Sequence, residues 1–540
     1  MGTFIESERV LDGADKTSGQ PISIPTTASD VKRTNYFKQI LLAPIYDLAV
    51  ETPITKLDKL SARLGNQVWL KREDIQPVKS FKLRGAHNKI KQLTKEQKAN
   101  GVFTASAGNH AQGVALSGST VGVRATIVMP ITTPEIKVEG VRSHGGHVVL
   151  HGSTFDEANA YAQALAIEND ATFIPPFDDE DVIVGQGTVA KELLQQRPDL
   201  DIVFIPVGGG GLLAGMAVYI KSLLPHVEVI GVEFEESACF KAALKAGEPV
   251  PLSYVGPFAD GIAVKQMGDE SFDLSRKYCD QVITVTSDEI CSAIKDIYDD
   301  ARAISEPSGA VAVAGLKKYL QQNKLRGVQV AAILSGANMN FDRLRYVAER
   351  TALGEKTEAI LAVTIPERKG AFRQFCDAIG DRVVTEFNYR RCGDNDARIF
   401  VGLRLSKGLP ELVQIKDALK QQNYQFLDLS DDEFAKEHVR YMVGGKSQYT
   451  DSQSVLNERV YQFEFPEHLG ALKKFLNTLG DRWNISLFHY RNHGSAIGQV
   501  MAGFEIEEQT DEEFHQFLSE VGYTYRDQSA NPGYKLFLQN

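Results

Sequence analysis

The chain repeats itself once, and that repeat constrains its architecture more than any other feature. Val363-Thr364-Ile365-Pro366-Glu367-Arg368-Lys369-Gly370-Ala371-Phe372 is answered 100 positions later by Phe463-Glu464-Phe465-Pro466-Glu467-His468-Leu469-Gly470-Ala471-Leu472. Phe375 then matches Phe475, and Gly380-Asp381-Arg382 matches Gly480-Asp481-Arg482. After a one-residue shift, Phe387-Asn388-Tyr389-Arg390 matches Phe488-His489-Tyr490-Arg491. One recurrence at this spacing is a duplicated domain, since stacked solenoids need three or more copies. Patterning gives each copy the order strand–helix–strand–strand–helix–strand, over residues 359–431 and 458–530. Residues 432–457, polar and holding Gly444-Gly445, read as the connector.

The part before the repeat follows a different rule. Short runs such as 67–70, 102–104, 125–129, 148–150, 202–205 and 227–230 are β-branched and mostly apolar. Strands buried on both faces of a parallel sheet have this composition. Helical patterns such as 155–168 and 287–302 alternate with them, so residues 35–350 read as an α/β domain with an open, mostly parallel sheet. In such sheets ligands bind beyond the carboxyl ends of strands, and chemistry belongs in the loops that follow them. Residues 1–34 form an extension without the basic start and apolar run of a secretory signal or the Arg-rich character of a transit peptide.

Composition excludes several classes. A net charge of -11 without a basic cluster argues against a nucleic-acid binder. Five widely spaced cysteines, no CxxC and no HExxH leave no disulfide scaffold and no common zinc site, which points to a reduced, cytoplasmic protein without a metal. The uncharged stretch 202–220 is long enough to raise the membrane question, but Pro206 and four glycines interrupt it, so no membrane partner is expected.

Four segments sit where a ligand site should be. Gly208-Gly209-Gly210-Gly211-Leu212 links an apolar strand to a helix, an arrangement whose converging N–H groups and helix dipole suit a phosphate. No Lys-Ser/Thr follows, which removes a Walker A reading. Gly209-x-Gly211-x-x-Ala214 with Glu233 at the end of the next strand also fits a dinucleotide fingerprint. Ser80-Phe81-Lys82-Leu83-Arg84 is either an exposed basic helix start or a desolvated lysine able to form a Schiff base. Ser106-Ala107-Gly108-Asn109 follows a strand and offers N–H groups to a carboxylate, whereas His110 is as well explained by structure. Ser335, at the end of an apolar run, reads alone as a cap.

Taken in order, these segments resemble the fold-type II pyridoxal-phosphate enzymes that eliminate or replace β-substituents of amino acids. With Glu306-Pro307-Ser308-Gly309-Ala310, Leu334-Ser335-Gly336-Ala337-Asn338 and a duplicated C-terminal region, the resemblance narrows to the biosynthetic threonine deaminases (threonine ammonia-lyases). It implies a fold-type II α/β catalytic domain followed by two α+β ACT-like regulatory domains. Lys82 would then hold pyridoxal 5'-phosphate as a Schiff base, Phe81 would pack beside its ring, and Asn109 would bond the ring hydroxyl oxygen. Gly208, Gly209, Gly210, Gly211 and Leu212 would cradle the phosphate, and Ser335 would meet the pyridine nitrogen. Ser106, Ala107, Gly108 and Asn109 would take the substrate carboxylate.

The implied reaction removes the α-proton of L-threonine with Lys82 as general base and expels the β-hydroxyl. It releases aminocrotonate, which ends as 2-oxobutanoate and ammonia, the first step of isoleucine synthesis; L-serine would also react. Isoleucine as inhibitor and valine as its opponent would bind the repeats, with Tyr389, Tyr490 and Arg491 as candidate contacts unless these pack the sheet or an interface. A homotetramer is implied. Related racemases carry a serine where this chain has Ala107 and an aspartate where it has Cys239, next to a metal site that includes Glu233. Neither racemization nor that site is therefore expected. Two rivals stand beside this reading: an NAD-dependent amino-acid enzyme, resting on the dinucleotide fingerprint, and a catalytically inactive amino-acid sensor.

Overall fold

A computed structural model describes residues 28–341, 343–366, 368–390, 396–432, 435, 458–466, 470–491, 497–506 and 510–538. Most of the expected connector 432–457 and the first 27 residues of the expected extension lie outside this set, as do Glu367 and Glu467 of the repeat. The described chain separates into two compact units. One takes the residues up to Val285 together with Asp300–Asn338; the other takes Thr286–Asp299 and the residues from Met339 onward. No described helix is long and apolar enough to cross a membrane.

Two boundaries differ from the sequence reading. A helix at Ala28–Leu42 runs through the expected junction at residue 34 and packs against the first unit, Tyr36 and Ile40 being buried in its core. Helix Arg343–Gly354 runs through the expected end of the catalytic domain at 350. It is tied to helix Ser287–Ala301 in the second unit, where Arg350 Nε meets Asp288 Oδ1 at 2.6 Å and Thr351 Oγ1 donates to the Cys291 carbonyl. A helix's own periodicity does not say which core it serves.

The first unit is built on strands β1 (Ile54–Lys56), β2 (Gln67–Arg72), β3 (Val102–Ala105), β4 (Ala125–Met129), β5 (His147–Leu150), β6 (Thr172–Phe173), β7 (Ile202–Pro206), β8 (Glu228–Phe234), β9 (Gln281–Val285) and β10 (Gln329–Leu334). They form a six-stranded sheet in the order β1-β2-β10-β7-β8-β9 and a four-stranded sheet in the order β5-β4-β3-β6. Every pairing is parallel except β1 with β2. β3, β4 and β7 are buried along their whole length, which explains their unbroken apolar composition. The carboxyl ends of β3, β7 and β10 deliver the three strand-end motifs.

The second unit is one antiparallel sheet. Its strands β11 (Glu358–Pro366), β12 (Val384–Arg390), β13 (Asp396–Arg404), β14 (Gln425–Asp428), β15 (Glu458–Pro466), β16 (Asn484–Arg491), β17 (Ile497–Glu505) and β18 (Tyr525–Asp527) run in the order β14-β11-β13-β12-β16-β17-β15-β18. Helices Ala371–Ile379 and Leu409–Gln421 complete the first copy, and Ala471–Leu479 and Asp511–Val521 the second. The copies fuse where β12 pairs with β16, Phe387 opposite Tyr490 and Tyr389 opposite Phe488. Phe387 is equivalent to Phe488, and Tyr389 to Tyr490, so equivalent residues swap partners as an approximate two-fold axis requires. The ion pairs obey the same axis: Arg373 meets Asp481 at 3.0 Å and Lys473 meets Asp381 at 3.2 Å. Register breaks fall at matching places, Val384/Glu386 and Ile485/Leu487, beside the matching bonds Thr385–Glu358 and Ser486–Glu458. Phe375, Phe387, Phe463, Phe475, Phe488 and Phe504 share one core across both copies.

Helix Lys82–Gln92 is anchored in the first unit by a charge network with almost no access to solvent. Arg84 donates to Glu73 at 2.7 and 2.8 Å and to Glu192 at 2.5 and 2.9 Å. Lys71 Nζ donates to Glu192 at 2.6 Å and to the Thr52 carbonyl at 2.6 Å. Two cations and two carboxylates balance, and removing one leaves an uncompensated buried charge. Glu192→Leu is therefore expected to destabilise the first unit by about 3–5 kcal/mol, read as a lowered midpoint in urea unfolding.

Candidate active site

Lys82 opens its helix from a segment whose backbone is stitched to the end of β10. Phe81 N donates to the Ser335 carbonyl at 3.2 Å, and Ala337 N to the Lys79 carbonyl at 2.9 Å. Lys79 adopts a positive φ of 57° to make this turn. Ser80 Oγ accepts from Lys82 N at 3.3 Å. The lysine side chain passes its Phe81 neighbour, Nζ lying 5.4 Å from the ring centroid, and Nζ donates to the Pro176 carbonyl at 2.7 Å. Burial alone lowers its pKa from 10.5 to about 8. Of the two sequence readings, the desolvated lysine is therefore the one the fold adopts.

The glycine loop follows β7. Gly210 takes φ 95°, and the helix Gly211–Leu223 begins immediately after it. A Cβ on Gly209 would lie 2.2 Å from the Phe177 ring, and Gly210 sits at φ 95°, where a side chain is strained, so glycine is favoured at both positions. Among the described residues, the backbone N–H groups of residues 208–212 donate to no protein acceptor, although Gly209–Leu212 are buried. Buried donors without partners are costly, and here they converge at a helix N-terminus, the arrangement that suits a phosphate. The residues present fit a phosphate-bearing cofactor bonded to Lys82.

After β3, Ser106 Oγ accepts from Gly108 N at 3.2 Å, and Gly108 precedes the helix Asn109–Val121. Among the described residues, the N–H groups of Ala107, Asn109 and His110 have no protein acceptor either, leaving an anion site at this second helix start. Residues 106–109 are half-buried, whereas the strand before them and His110 after them are buried. The Asn109 amide is fixed on both sides: Nδ2 donates to Glu306 Oε1 at 2.6 Å, and Oδ1 accepts from Asn338 Nδ2 at 2.7 Å. Ser335 is buried at the end of β10, its Oγ a long 3.4 Å from the Ser308 carbonyl.

The fold thus gathers Phe81, Lys82, Asn109 and Ser335 through direct bonds and shared neighbours, and Phe177 and Ile262 flank the glycine loop beside them. His110 is not reactive here: its Nε2 bonds the Ile174 carbonyl at 3.0 Å, and burial, reinforced by the charge of Lys82, pushes its pKa down to about 3. The dinucleotide reading fails at Glu233. Its buried carboxylate accepts from Phe240 N and Lys241 N at 2.7 and 2.9 Å, capping the helix Cys239–Ala246, and cannot turn to a ribose. Cys239 Sγ meets the Gly208 carbonyl at 3.3 Å. Among the described residues, no three His, Cys, Asp or Glu side chains gather as a metal would need.

Sequence reasoning gave no role to Pro176, Glu306 and Asn338. The last two stood inside motifs already noted, each beside a strand end or helix start; Pro176 lies in irregular chain and carries no such signal.

In the second unit a shallow cleft lies between the copies, with Arg368, Gly370, Arg373 and Tyr389 from one and Leu479, Trp483 and Ile485 from the other. Tyr389 lines this cleft, and it and Tyr490 are both buried in the shared core; the Arg491 side chain lies outside the described residues.

Residues 45–336 match the pyridoxal-phosphate dependent enzyme family, and residues 349–439 and 451–538 match the C-terminal regulatory domain of threonine dehydratase. The biosynthetic L-threonine dehydratase of Salmonella typhimurium is 56% identical over 519 residues, covering 96% of this chain and 99% of that one. The Escherichia coli protein of the same description is 57% identical over 503 residues, covering 93% and 97%. Among solved structures, the processed form of threonine deaminase isoform 2 from Solanum lycopersicum matches with TM-score 0.60 at 48% identity, covering 61% of this chain and 91% of that one. Maize serine racemase matches with TM-score 0.55 at 31% identity, covering 58% and 96%.

Gly209→Val places methyl groups inside the volume of the Phe177 ring. It is expected to weaken retention of pyridoxal phosphate by at least about tenfold, measured by equilibrium dialysis of the cofactor.

Proposed function

Because the chain belongs to the biosynthetic L-threonine dehydratases, pyridoxal-phosphate-dependent lyases with a C-terminal regulatory region, we propose that Lys82 carries the cofactor and that the chain converts L-threonine to 2-oxobutanoate and ammonia. The observation that carries this assignment is a half-buried lysine at a helix start, its Nζ donating to the Pro176 carbonyl at 2.7 Å, in the same unit as a loop of unpartnered N–H donors. Bound there, pyridoxal phosphate supplies the sink for the electron pair left when the α C–H bond breaks.

The chain's own groups do the rest. Residues 208–212 hold the phosphate on their N–H groups. The helix start at Ser106, Ala107, Gly108 and Asn109 takes the substrate carboxylate. Asn109 donates to the ring hydroxyl oxygen, Phe81 walls one side of the ring, and the Ser335 hydroxyl meets the ring nitrogen. Lys82, lowered to about 8 by burial, has a useful fraction of free amine near neutral pH and takes the α-proton. Neutral His110 takes no part in proton transfer. L-Serine differs from L-threonine by one methyl group, worth only about 1–3 kcal/mol in a pocket, so both react and threonine is preferred. The same kinship implies a homotetramer acting in the cytoplasm, the first of which sedimentation can check.

The regulatory reading is feedback by isoleucine, opposed by valine, at the cleft between the copies. Arg368 and Arg373 offer a guanidinium to an amino-acid carboxylate, and Ile365, Leu476, Leu479 and Ile485 offer apolar surface to a branched side chain. Tyr389 contacts effector in this reading; Tyr490 and Arg491 belong to the equivalent face of the second copy.

Lys82→Ala is expected to lose the visible absorbance of bound cofactor and to cut 2-oxobutanoate release by roughly a thousandfold or more. Loading of apoenzyme with pyridoxal phosphate is expected to quicken as pH rises through about 8, where the Lys82 amine becomes free. A protein that binds cofactor yet releases no 2-oxobutanoate from L-threonine would overturn the substrate assignment. Turnover is expected to fall with isoleucine and return with valine. Arg373→Ala should raise the half-inhibitory isoleucine concentration by roughly tenfold; indifference to both amino acids would remove the effector assignment and leave the lyase.

A further inference from the structure

Glu306 immediately precedes helix Pro307–Gln322 and makes no side-chain cap bond to it. Its carboxylate turns the other way, and Oε1 accepts from Asn109 Nδ2 at 2.6 Å. The approach is possible because residue 336 is glycine: a Cβ there would lie 2.3 Å from Oε1. On the opposite side of the amide, Asn338 Nδ2 donates one hydrogen to Asn109 Oδ1 at 2.7 Å and another to the Val78 carbonyl at 2.8 Å.

These bonds determine the polarity of Asn109. An amide has one acceptor oxygen and two N–H hydrogens. The oxygen is spent on Asn338 and one hydrogen on Glu306, so a single N–H remains to be offered. Rotating the amide by half a turn would set its oxygen against the Glu306 carboxylate and its nitrogen against the Asn338 nitrogen, losing both bonds and creating two repulsions. Without Glu306, a flip loses one bond and creates one repulsion instead of two, so Asn109 is held from the Asn338 side alone and its remaining N–H is aimed less firmly.

We propose that Glu306 is a positioning residue of the lyase, holding Asn109 so that its one remaining N–H faces the cofactor ring's hydroxyl oxygen. The inference rests on the placement of Asn109 at that oxygen given under Proposed function. Glu306 is buried, and burial followed by the nearby Asp260 raises its pKa to about 7. The Asn109 amide, the Lys137 ammonium and the Asn338 backbone N–H act in the other direction, and Lys137 and Asp260 pair with each other at 2.9 Å. Above about pH 7 the carboxylate grips Asn109 through a charge-assisted bond; below it the grip weakens.

The test compares holoenzymes carrying Glu306→Ala, Glu306→Gln and Asn109→Ala with the unaltered protein. The visible band of the bound cofactor is titrated with pH, and kcat and KM for L-threonine are measured separately. Glu306→Ala is expected to shift the band and to lower kcat by roughly ten- to a hundredfold, with little change in KM. Glu306→Gln keeps an acceptor at the same reach and should restore the band and most of kcat, while abolishing the spectral change centred near pH 7. A Glu306→Ala band that titrates like the unaltered protein, or a Glu306→Gln variant as impaired as Glu306→Ala, overturns the proposal. Should Glu306→Ala fail to fold, a Glu306→Gln titration that keeps its midpoint near 7 overturns it equally. An unchanged band in Asn109→Ala overturns the placement of Asn109 itself, which separates failure of the underlying reading from failure of this one.

Discussion

The catalytic unit depends on one guanidinium. Arg84, two residues after Lys82, is fully buried between Glu73 and Glu192, and Lys71 completes the balance from the other side of Glu192. These bonds join a loop after β2, the helix Lys82–Gln92 and the helix Glu180–Gln196, so the first turn of the lysine's helix is pinned to both neighbours. A buried network of this kind contributes little net stability against an apolar core, because desolvation offsets most of the attraction. What it provides is a single position: a helix held by directional bonds cannot slide, and Lys82 at its start inherits that precision. The backbone bonds from Phe81 and Lys79 to the turn after β10 then bring Ser335 to the same place.

Much of this was legible in the sequence because it is local. Unbroken apolar runs marked β3, β4 and β7, the glycines marked the loop, and the offset of 100 marked the duplication with its order of elements. What escaped was set by long-range crossing of the chain. Asn109 and Glu306 are 197 residues apart, Asn109 and Asn338 229, and Lys82 and Pro176 94; no periodicity encodes such meetings. Glu233 shows the converse failure. Its spacing from the glycine loop satisfies a dinucleotide pattern, but the following helix claims its carboxylate. Spacing records where a residue lies along the chain and not what its side chain is already bonded to.

The regulatory half shows how duplication creates a cleft that neither copy holds alone. Pairing β12 with β16 joins two half-sheets into one, and the equivalent ion pairs Arg373–Asp481 and Lys473–Asp381 brace the helices across the axis. The cleft beside them takes its cationic side chains from one copy and much of its apolar surface from the other. A ligand there touches both copies, so its binding depends on their mutual arrangement, the condition under which an effector can shift an equilibrium.

Charge is treated in two opposite ways within the catalytic unit. Around Arg84 every buried charge has a partner of opposite sign. Around Lys82 and Glu306 it does not: Lys82 donates to a neutral carbonyl, and the Glu306 carboxylate accepts from the neutral Asn109 amide. Burial without a matching counter-charge moves both groups toward neutrality from opposite directions, Lys82 down to about 8 and Glu306 up to about 7. Pairing either would undo this, because a carboxylate beside Lys82 would hold it protonated. The two treatments are therefore complementary: the balanced network fixes the helix start that carries Lys82, and the absence of counter-charges leaves the Lys82 amine and the Glu306 carboxyl closer to neutral.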